Sequence, residues 1–190
     1  MLRQLAALCA LLFCVACSEP PQKEIDRAQG AIDAARAAGA ERYASAEFTA
    51  ATTAMQQAHD AVGQGDYRTA LSRALAAHER AQEAAKQAAD GKARARSEAE
   101  GAVNAAATAL QQLRTAMKTA EAQKQKSPHL AAARKTAARV EATLQEARAH
   151  LKAERYLEAS AALKEIVPLV SAQIGALNES ATKAKPVKRR

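Results

Sequence analysis

Apolar residues recur at alternating intervals of three and four over most of the chain, and this spacing constrains the fold more than any other feature. It places one apolar stripe on each of several helices, because an α-helix has about 3.6 residues per turn. Alanine, the strongest helix former, makes up more than a quarter of the sequence, whereas aromatic residues are 3%. We therefore predict an all-α protein whose helices pack closely or stay long and thin.

The stretch from Tyr43 to Ala89 has the pattern of a helical hairpin. Gly63 and Gly65 are able to end a helix in the left-handed conformation, and Asp66 is suited to cap the next helix. The stripe before the turn contains Phe48, Ala51, Met55, Ala58 and Val62, and the stripe after it contains Tyr67, Ala70, Leu71, Ala74, Ala77, His78 and Ala81. We predict that the two helices fold back on each other along these stripes.

A helix over residues 23–38 precedes this hairpin, and a longer helix and a second hairpin follow it. Gly91 either breaks the chain or only weakens one continuous helix, since a glycine inside a helix costs about 1 kcal/mol. Residues 124–128 (KQKSP) predict a break, Glu154 and Arg155 a turn, and Pro168 a kink in the last helix. The helix before that turn has a heptad seam of Leu130, Ala133, Ala137, Val140, Leu144, Ala147 and Leu151.

The two hairpins align at one constant offset of 89 residues, as from Tyr67 to Tyr156. The aligned residues are Gln56, Ala58, Tyr67 and Ala70 with Gln145, Ala147, Tyr156 and Ala159. This pattern has two explanations. It reflects either an internal repeat, with two hairpins stacked or joined end to end, or chance similarity between alanine-rich helices.

Residues 1–16 have the organisation of an export signal. The apolar run from Leu5 to Val15 is too short to cross a bilayer, because a spanning helix needs about 20 residues. Ala16 followed by Cys17 resembles the cleavage site of bacterial lipoproteins, although Cys14 stands where that family usually has leucine. The resemblance implies a lipid on Cys17. The alternatives are ordinary cleavage that leaves Cys17 unmodified and an uncleaved anchor.

All three cysteines fall within the first 17 residues, so the mature chain has no internal disulfide and no metal-thiolate site. Ser18 after the modified cysteine implies, by the same resemblance to Gram-negative lipoproteins, a place on the inner leaflet of the outer membrane, facing the periplasm. Residues 17–22 would then be the acylated cysteine and a short proline-containing tether.

The first hairpin also carries two short motifs, one at its start and one at its turn. The matching residues are Tyr43, Ala44, Glu47 and Phe48, then Gly65, Asp66, Tyr67 and Ala70. With them the hairpin resembles an uncharacterised N-terminal domain of bacterial envelope lipoproteins. That domain has a Tyr-Ala-Pro-x-Glu-Leu start and a Gly-Asp-Tyr-x-x-Ala turn, and it sometimes precedes an OmpA-like domain. Ser45 takes the place of the usual proline. The resemblance implies an exported helical hairpin without a known reaction.

No residue pattern predicts an enzyme, a cofactor or a metal site. The four histidines stand singly, and carboxylates alternate with Arg and Lys at helical spacing, which is typical of solvated ion-pairing faces. We expect no nucleic-acid partner in the envelope. The basic tail predicts either weak contact with lipopolysaccharide, phospholipid headgroups or peptidoglycan, or solvation alone. Its cations are Lys183, Lys185, Lys188, Arg189 and Arg190.

The expected fold class is all-α, with antiparallel hairpins forming an elongated bundle or a coiled-coil-like body. The predicted segments are a cleaved signal peptide (1–16), the acylated cysteine and tether (17–22), a helix with the first hairpin (23–91), a long helix with the second hairpin (92–177) and a disordered basic tail (178–190). The expected function is that of an outer-membrane-anchored periplasmic lipoprotein, a non-enzymatic spacer or interaction module that meets an envelope protein or polymer. The alternatives are a helical carrier of lipid or a small ligand, and a coiled-coil oligomer formed through the heptad seam.

Overall fold

A computed structural model describes residues 19–123 and 128–184 of the chain. Helices make up 91% of these residues and no strand occurs among them, so the all-α prediction is confirmed. The helices are α1 (Gln22–Ala37), α2 (Ala40–Tyr43), α3 (Ser45–Gly63), α4 (Tyr67–Ala122), α5 (Pro128–Lys152), α6 (Tyr156–Leu163) and α7 (Ile166–Ala184).

The chain divides into two compact units, unit 1 (Met1–Gly91) and unit 2 (Lys92–Arg190), and the boundary falls inside α4. Gly91 therefore does not break the helix, which resolves the alternative that the sequence leaves open. At the other end of unit 1, α1 begins at Gln22, so this residue is helical and not part of a tether. Pro21 occupies the capping position with φ of −77°, close to the angle that its ring imposes.

The core of unit 1 consists of one face each of α1, α3 and the first part of α4. The stripe that α4 contributes is made of alanine alone, and its members are 0% exposed: Ala70, Ala74, Ala77, Ala81, Ala84 and Ala88. The larger side chains come from the other two helices, among them Ile25, Ile32, Phe48 and Met55. Unit 1 thus sets bulky residues of two helices against the methyl groups of a third.

One part of the predicted stripe on α4 is wrong. Leu71 is 38% exposed, while Tyr67 and His78 are half-buried. Each residue advances about 100° around a helix. A stripe centred on Ala70, Ala74 and Ala77 therefore leaves the neighbouring Leu71 on its flank.

The core of unit 2 is formed by the later part of α4 together with α5, α6 and α7. The predicted heptad seam of α5 is buried from Leu130 to Ala147, and Leu151 is half-buried. It belongs to one cluster with Leu113 of α4 and with Leu163 and Val170 of α6 and α7. The seam is therefore occupied by packing within unit 2.

The last helix is interrupted rather than kinked. α6 ends at Leu163 and α7 begins at Ile166, while Lys164 between them keeps helical angles (φ −51°, ψ −41°). Pro168 has no N–H to donate to the carbonyl of Lys164. The interruption places Pro168 in the first turn of α7, where a backbone N–H is not needed within the helix.

The prediction of a disordered tail from residue 178 onward is wrong in its first part. α7 continues to Ala184, so residues 178–184 are helical. Leu177 is buried at 2% exposure and anchors this region of the helix in the core of unit 2. Residues 185–190 lie outside the described residues.

Candidate functional site

Most of the residues that the sequence nominates for function lie outside the described part of the chain. These are Cys17, Lys185, Lys188, Arg189 and Arg190. The backbone of Lys183 belongs to the last turn of α7. The predicted lipidation site and tail contact therefore stay predictions, and the geometry of the molecule is informative at its turns and surfaces instead.

The first hairpin turn closes α3 with two backbone hydrogen bonds. The N–H of Asp66 donates to the carbonyl of Ala61 (2.9 Å), and the N–H of Gly65 donates to that of Val62 (3.0 Å). Gly65 has φ of 73°, in the left-handed region that glycine adopts without strain. Oδ1 of Asp66 accepts a hydrogen bond from the N–H of Thr69 at 3.0 Å and so caps α4. The predicted roles of Gly65 and Asp66 are confirmed.

The turn between α5 and α6 repeats this geometry at the predicted offset of 89 residues. The N–H of Arg155 donates to the carbonyl of His150 (2.9 Å), and the N–H of Glu154 donates to that of Leu151 (3.1 Å). Glu154 stands where the first turn has Gly65, and its φ of 55° is in the region that disfavours any residue with a Cβ atom. Tyr156, the counterpart of Tyr67, is buried at 6% exposure.

Electrostatic contacts hold one carboxylate in each turn in its charged form. Hydrogen bonds from the side chain and the backbone N–H of Thr69 keep the pKa of Asp66 below its ordinary value. In the second turn, Oε2 of Glu154 lies 2.7 Å from Nζ of Lys92. The hydrogen bond from Lys92 and then its charge keep the pKa of Glu154 below its ordinary value, and Arg96 contributes less. Both side chains of this ion pair are well exposed, so it contributes little to stability.

Gly91 lies where α4 passes close to the end of α2. A Cβ atom built on Gly91 would be 2.6 Å from the carbonyl oxygen of Tyr43 and 3.1 Å from the Cβ of Tyr43. Real side chains do not come this close to a backbone oxygen, so this approach of the two segments requires glycine. Tyr43, which opens the motif of the resembled domain, thus has its backbone packed on α4.

A groove of about 560 Å³ in unit 2 runs between α4 and α7. Its lining contains no charged residue: Thr108, Gln111, Gln112, Thr115, Ala116, Thr119, Ile174 and Asn178. The hydroxyls of Thr115 and Thr119 donate to carbonyls of their own helix at 3.0 and 3.1 Å, which leaves their oxygens as acceptors. The groove therefore presents hydrogen-bonding groups to a neutral ligand.

A small apolar patch, the leucine pair, lies on the surface of unit 1. It consists of Leu71 and Leu75, one turn apart on α4, with exposures of 38% and 51%. Most other large apolar side chains of the described residues are at least half-buried, the exceptions being Leu157 and Val167. The leucine pair is therefore the main apolar feature that unit 1 offers to a partner.

The histidines do not assemble into a metal site in the part of the chain that is described. No group of three or more metal-binding side chains occurs there. Nδ1 of His78 and Nδ1 of His150 are buried without a hydrogen-bond partner, and Nε2 of His150 lies 3.8 Å from Glu146. Among the same residues, no helix combines the length and the apolar character that crossing a bilayer requires.

Charge is divided unequally between the units. Residues 1–91 contain nine Lys or Arg and eleven Asp or Glu, which gives −2, and residues 92–190 contain nineteen and nine, which gives +10. These values add to the net charge of +8. The basic character is therefore not confined to the tail but extends over unit 2.

Sequence reasoning missed the contact between Gly91 and Tyr43 and the ion pair between Lys92 and Glu154. Both join residues far apart in the sequence, so no local spacing signals them. The offset of 89 residues did carry a usable signal, because it aligns Glu154 with Gly65 and thereby indicates a residue in the left-handed conformation.

Comparison with known proteins agrees with the likeness of the first hairpin to an uncharacterised domain. No curated protein and no solved structure matches the chain. Residues 23–99 match the model of one family, described as a domain of unknown function (DUF4398). The match begins at the second residue of α1, covers the rest of unit 1 and includes the first residues of unit 2.

Proposed function

We propose that this chain is a non-enzymatic helical interaction module of the bacterial envelope, attached through a lipid on Cys17 to the periplasmic face of the outer membrane. The observation that carries the proposal is the position of Cys17. It ends the apolar N-terminal segment, and it stands five residues before α1, the first helix of the described residues. An anchor at this position would hold unit 1 close to the membrane surface.

The chemistry of the anchor supports this reading. A lipoprotein cysteine carries a thioether-linked diacylglycerol, and more than one acyl chain is needed for stable attachment to a bilayer. The remaining cysteines, Cys9 and Cys14, fall inside the apolar segment that would be removed. A single retained thiol at the first mature position is then explained by modification.

Metabolic labelling with a palmitate analogue in a Gram-negative host tests the anchor. We expect label on the wild-type chain and none on Cys17→Ala. Cys14→Ala is the matched control, since it removes a neighbouring thiol and should keep the label. Equal labelling of wild type and Cys17→Ala would refute the proposed anchor.

The interaction role rests on the surface of unit 1. The apolar residues of its described part are mostly used in one core, so the leucine pair is the main apolar surface that this part leaves for a partner. A photo-crosslinking residue at position 75 should capture a defined envelope partner in cells. The same photo-crosslinking residue in place of Asp26, an exposed position on α1, serves as the control. The same crosslinked product at both positions, or none at position 75, would contradict the role of the leucine pair.

A second candidate function is a carrier of a small neutral ligand, which the uncharged groove between α4 and α7 favours. Native mass spectrometry of the purified chain distinguishes the two. A bound ligand that is lost in Gln111→Glu would support the carrier, because the new charge has no partner in an uncharged lining. A clean protein mass supports the interaction module.

A further inference from the structure

The leucine pair lies toward the end of unit 1 at which α1 and α4 both begin. Two contacts set a common level on the three long helices of this unit. Cζ of Arg36 on α1 lies 5.3 Å from the centre of the Phe48 ring on α3. Nη1 of Arg80 on α4 lies 3.5 Å from Oε2 of Glu47, the residue before Phe48. Because α1 and α4 both fold back along α3 in one core, they run in the same direction from their first residues to this level.

The position of the leucine pair along the helix axes follows from this level. An α-helix rises about 1.5 Å per residue. Arg36 is fourteen residues after Gln22, so α1 begins about 21 Å from the common level. Arg80 is nine residues after Leu71 and five after Leu75, which places the two leucines about 14 and 8 Å from it. The leucine pair is therefore about 7 to 13 Å along the axis from the start of α1.

The proposed anchor brings a bilayer within reach of the leucine pair. Cys17 stands five residues before Gln22, and five residues span at most about 18 Å. This span exceeds the axial distance from the start of α1 to either leucine, so a bilayer that holds Cys17 is able to touch the side of α4. The tether also keeps the two at a high effective concentration, so a small patch is sufficient for contact.

We propose that the leucine pair inserts into the phospholipid surface that holds the anchor, which makes the bilayer itself its partner. The inference rests on the proposed function, since the lipid on Cys17 is what keeps the patch at a membrane. A helix that lies along a bilayer buries the apolar side chains of one face at the boundary of headgroups and acyl chains. Leu71 and Leu75 are the exposed leucines that α4 has for such a contact.

The charged neighbours of the leucine pair suit a headgroup layer. Arg68 is exposed and comes three residues before Leu71, on the same side of α4. Its aliphatic stem is able to lie along apolar surface while its guanidinium reaches a phosphate. Glu79, a carboxylate on this side, comes four residues after Leu75 and is therefore farther from the end that carries the anchor.

The size of the patch favours lipid over a protein partner. A protein interface of standard size buries about 800 Å² on each partner and has an apolar core of its own. In the described part of unit 1, the two leucines are the large apolar side chains that remain well exposed. A lipid surface sets no such minimum area, because acyl chains accommodate single side chains.

A single tryptophan tests the contact, because the chain contains none. Leu75→Trp places this fluorophore in the leucine pair. The full chain, purified as a Gram-negative host processes it, would be reconstituted into vesicles of phosphatidylethanolamine and phosphatidylglycerol, with and without bromine on the acyl chains. Bromine quenches tryptophan only at short range. We expect the brominated lipid to remove most of the fluorescence at position 75.

Thr53→Trp is the matched control. Thr53 is exposed on α3 at nearly the same level as Leu75, and its neighbours Ala51, Ala54 and Met55 point into the core, so it lies on the outer face of that helix. A tryptophan there should keep its fluorescence in brominated vesicles. Circular dichroism would verify that both variants keep their helices. Equal quenching at the two positions, or quenching at neither, would overturn the inference.

A second substitution shows whether the two leucines act together. Leu71→Gln, added to Leu75→Trp, removes half of the apolar patch and should reduce the quenching at position 75. Ser72→Gln, added to the same chain, changes an exposed neighbour without removing apolar surface and should leave the quenching as it was. Undiminished quenching with Leu71→Gln would overturn the assignment of the contact to the leucine pair.

The mass of the purified chain separates failure of the anchor from failure of this inference. A lipid on Cys17 together with an unquenched tryptophan at position 75 would overturn the inference and leave the anchor standing. A chain without that lipid would overturn both. In cells, the photo-crosslinked product at position 75 should contain phospholipid. A product that contains another protein would overturn the inference and support an interaction module with a protein partner.

Discussion

At the scale of single residues, three positions besides Gly39 (φ 85°) carry backbone requirements that apolar spacing does not reveal. Gly65 and Glu154 both have positive φ, and Gly91 lies against the carbonyl of Tyr43. Two of the three are glycine, which adopts a positive φ without strain and allows another backbone to approach closely. Glu154 is the exception, because its side chain remains in a conformation that costs free energy. Each position permits a test with a matched control.

Gly91→Ala should lower the free energy of unfolding by a net amount of about 1–2 kcal/mol. The added methyl group would meet the carbonyl oxygen of Tyr43, and this overpacking outweighs a gain of about 1 kcal/mol in helix propensity. Urea denaturation followed by circular dichroism gives the change. Gly101→Ala is the control within the same helix, because nothing lies within 4 Å of its built Cβ atom. It should gain about 0.5–1 kcal/mol, and a loss at Gly101 that matched the loss at Gly91 would count against the argument.

The two turns should respond in opposite directions when their left-handed residues are changed. Gly65→Ala places a Cβ atom at φ of 73° and should cost about 1–2 kcal/mol. Glu154→Gly removes a Cβ atom at φ of 55° and should raise the midpoint of thermal unfolding. Glu154→Gln keeps the Cβ atom while removing the charge that meets Lys92, and it should change the midpoint little. A rise with Glu154→Gln as large as with Glu154→Gly would point to charge rather than backbone conformation.

Asp66 should make the first hairpin less stable at low pH than at neutral pH. Its folded-state pKa is below the ordinary value of 3.8. Its charge therefore stabilises the fold fully above the unfolded-state pKa, and that contribution is lost as the pH falls through the folded-state pKa. Asp66→Asn keeps a capping oxygen. We expect the difference in thermal midpoint, wild type minus Asp66→Asn, to be largest near pH 6 and to shrink toward about pH 3. A difference that did not change with pH would exclude this effect.

At the scale of helices, the two hairpins use the same buried positions with different side chains. At the offset of 89 residues, buried alanines of α4 correspond to larger buried residues of α6 and α7. The pairs are Ala74 and Leu163, Ala77 and Ile166, Ala81 and Val170, and Ala88 and Leu177. Unit 1 compensates with Phe48 on α3, whose counterpart in α5 is the smaller Ala137. The two cores therefore share a pattern but not a distribution of volume.

Exchanging one such pair should destabilise both units. Ala74→Leu adds atoms to a site with 0% exposure and should cost about 1–3 kcal/mol. Leu163→Ala leaves a cavity and should cost about 2–5 kcal/mol. Hydrogen exchange measured by mass spectrometry would assign each loss to its own unit. Ala89→Leu, on the exposed face of the same helix as Ala74, should stay within about 0.5 kcal/mol of wild type. A similar loss at position 89 would show that the effect is not one of core volume.

The helices and turns that depend on local chemistry were predictable from the sequence. The buried seam of α5 follows from its heptad spacing, and the turn at Gly65 and Asp66 follows from residues suited to end and cap a helix. Gly63, nominated for the same turn, remains the last residue of α3. One residue in the left-handed conformation, Gly65, is sufficient to end the helix, so Gly63 does not adopt that conformation.

The features that depend on packing between helices were not predictable. From the sequence, Gly91 is a possible break in the helix. Its structural role is to make room for the carbonyl of Tyr43, which lies 48 residues earlier and which local spacing does not reveal. Leu71 looked buried because spacing alone does not say where a stripe is centred. The extension of α7 past Leu177 depends on how that helix packs in unit 2. For the candidate sites, the residues that the sequence nominates fall mostly at the chain ends, outside the described residues.

At the scale of the whole molecule, the two units differ in charge, in core composition and in how much of each matches the family model. Unit 1 has a charge of −2 and an alanine-rich core, and most of it matches the domain of unknown function. Unit 2 has a charge of +10 and a core richer in leucine and valine. In the proposed function, unit 1 follows the membrane anchor and the leucine pair meets a partner.

The alanine stripe of α4 also bears on how unit 1 responds to temperature. The heat-capacity change of unfolding grows with the apolar surface that becomes hydrated, and it sets the curvature of stability against temperature. Methyl groups expose little such surface, and alanine loses no rotamer freedom when it is buried. Per residue, unit 1 should therefore have a flatter curve of unfolding free energy against temperature than unit 2. Its unfolding free energy should fall less on cooling and on heating away from the temperature of maximum stability.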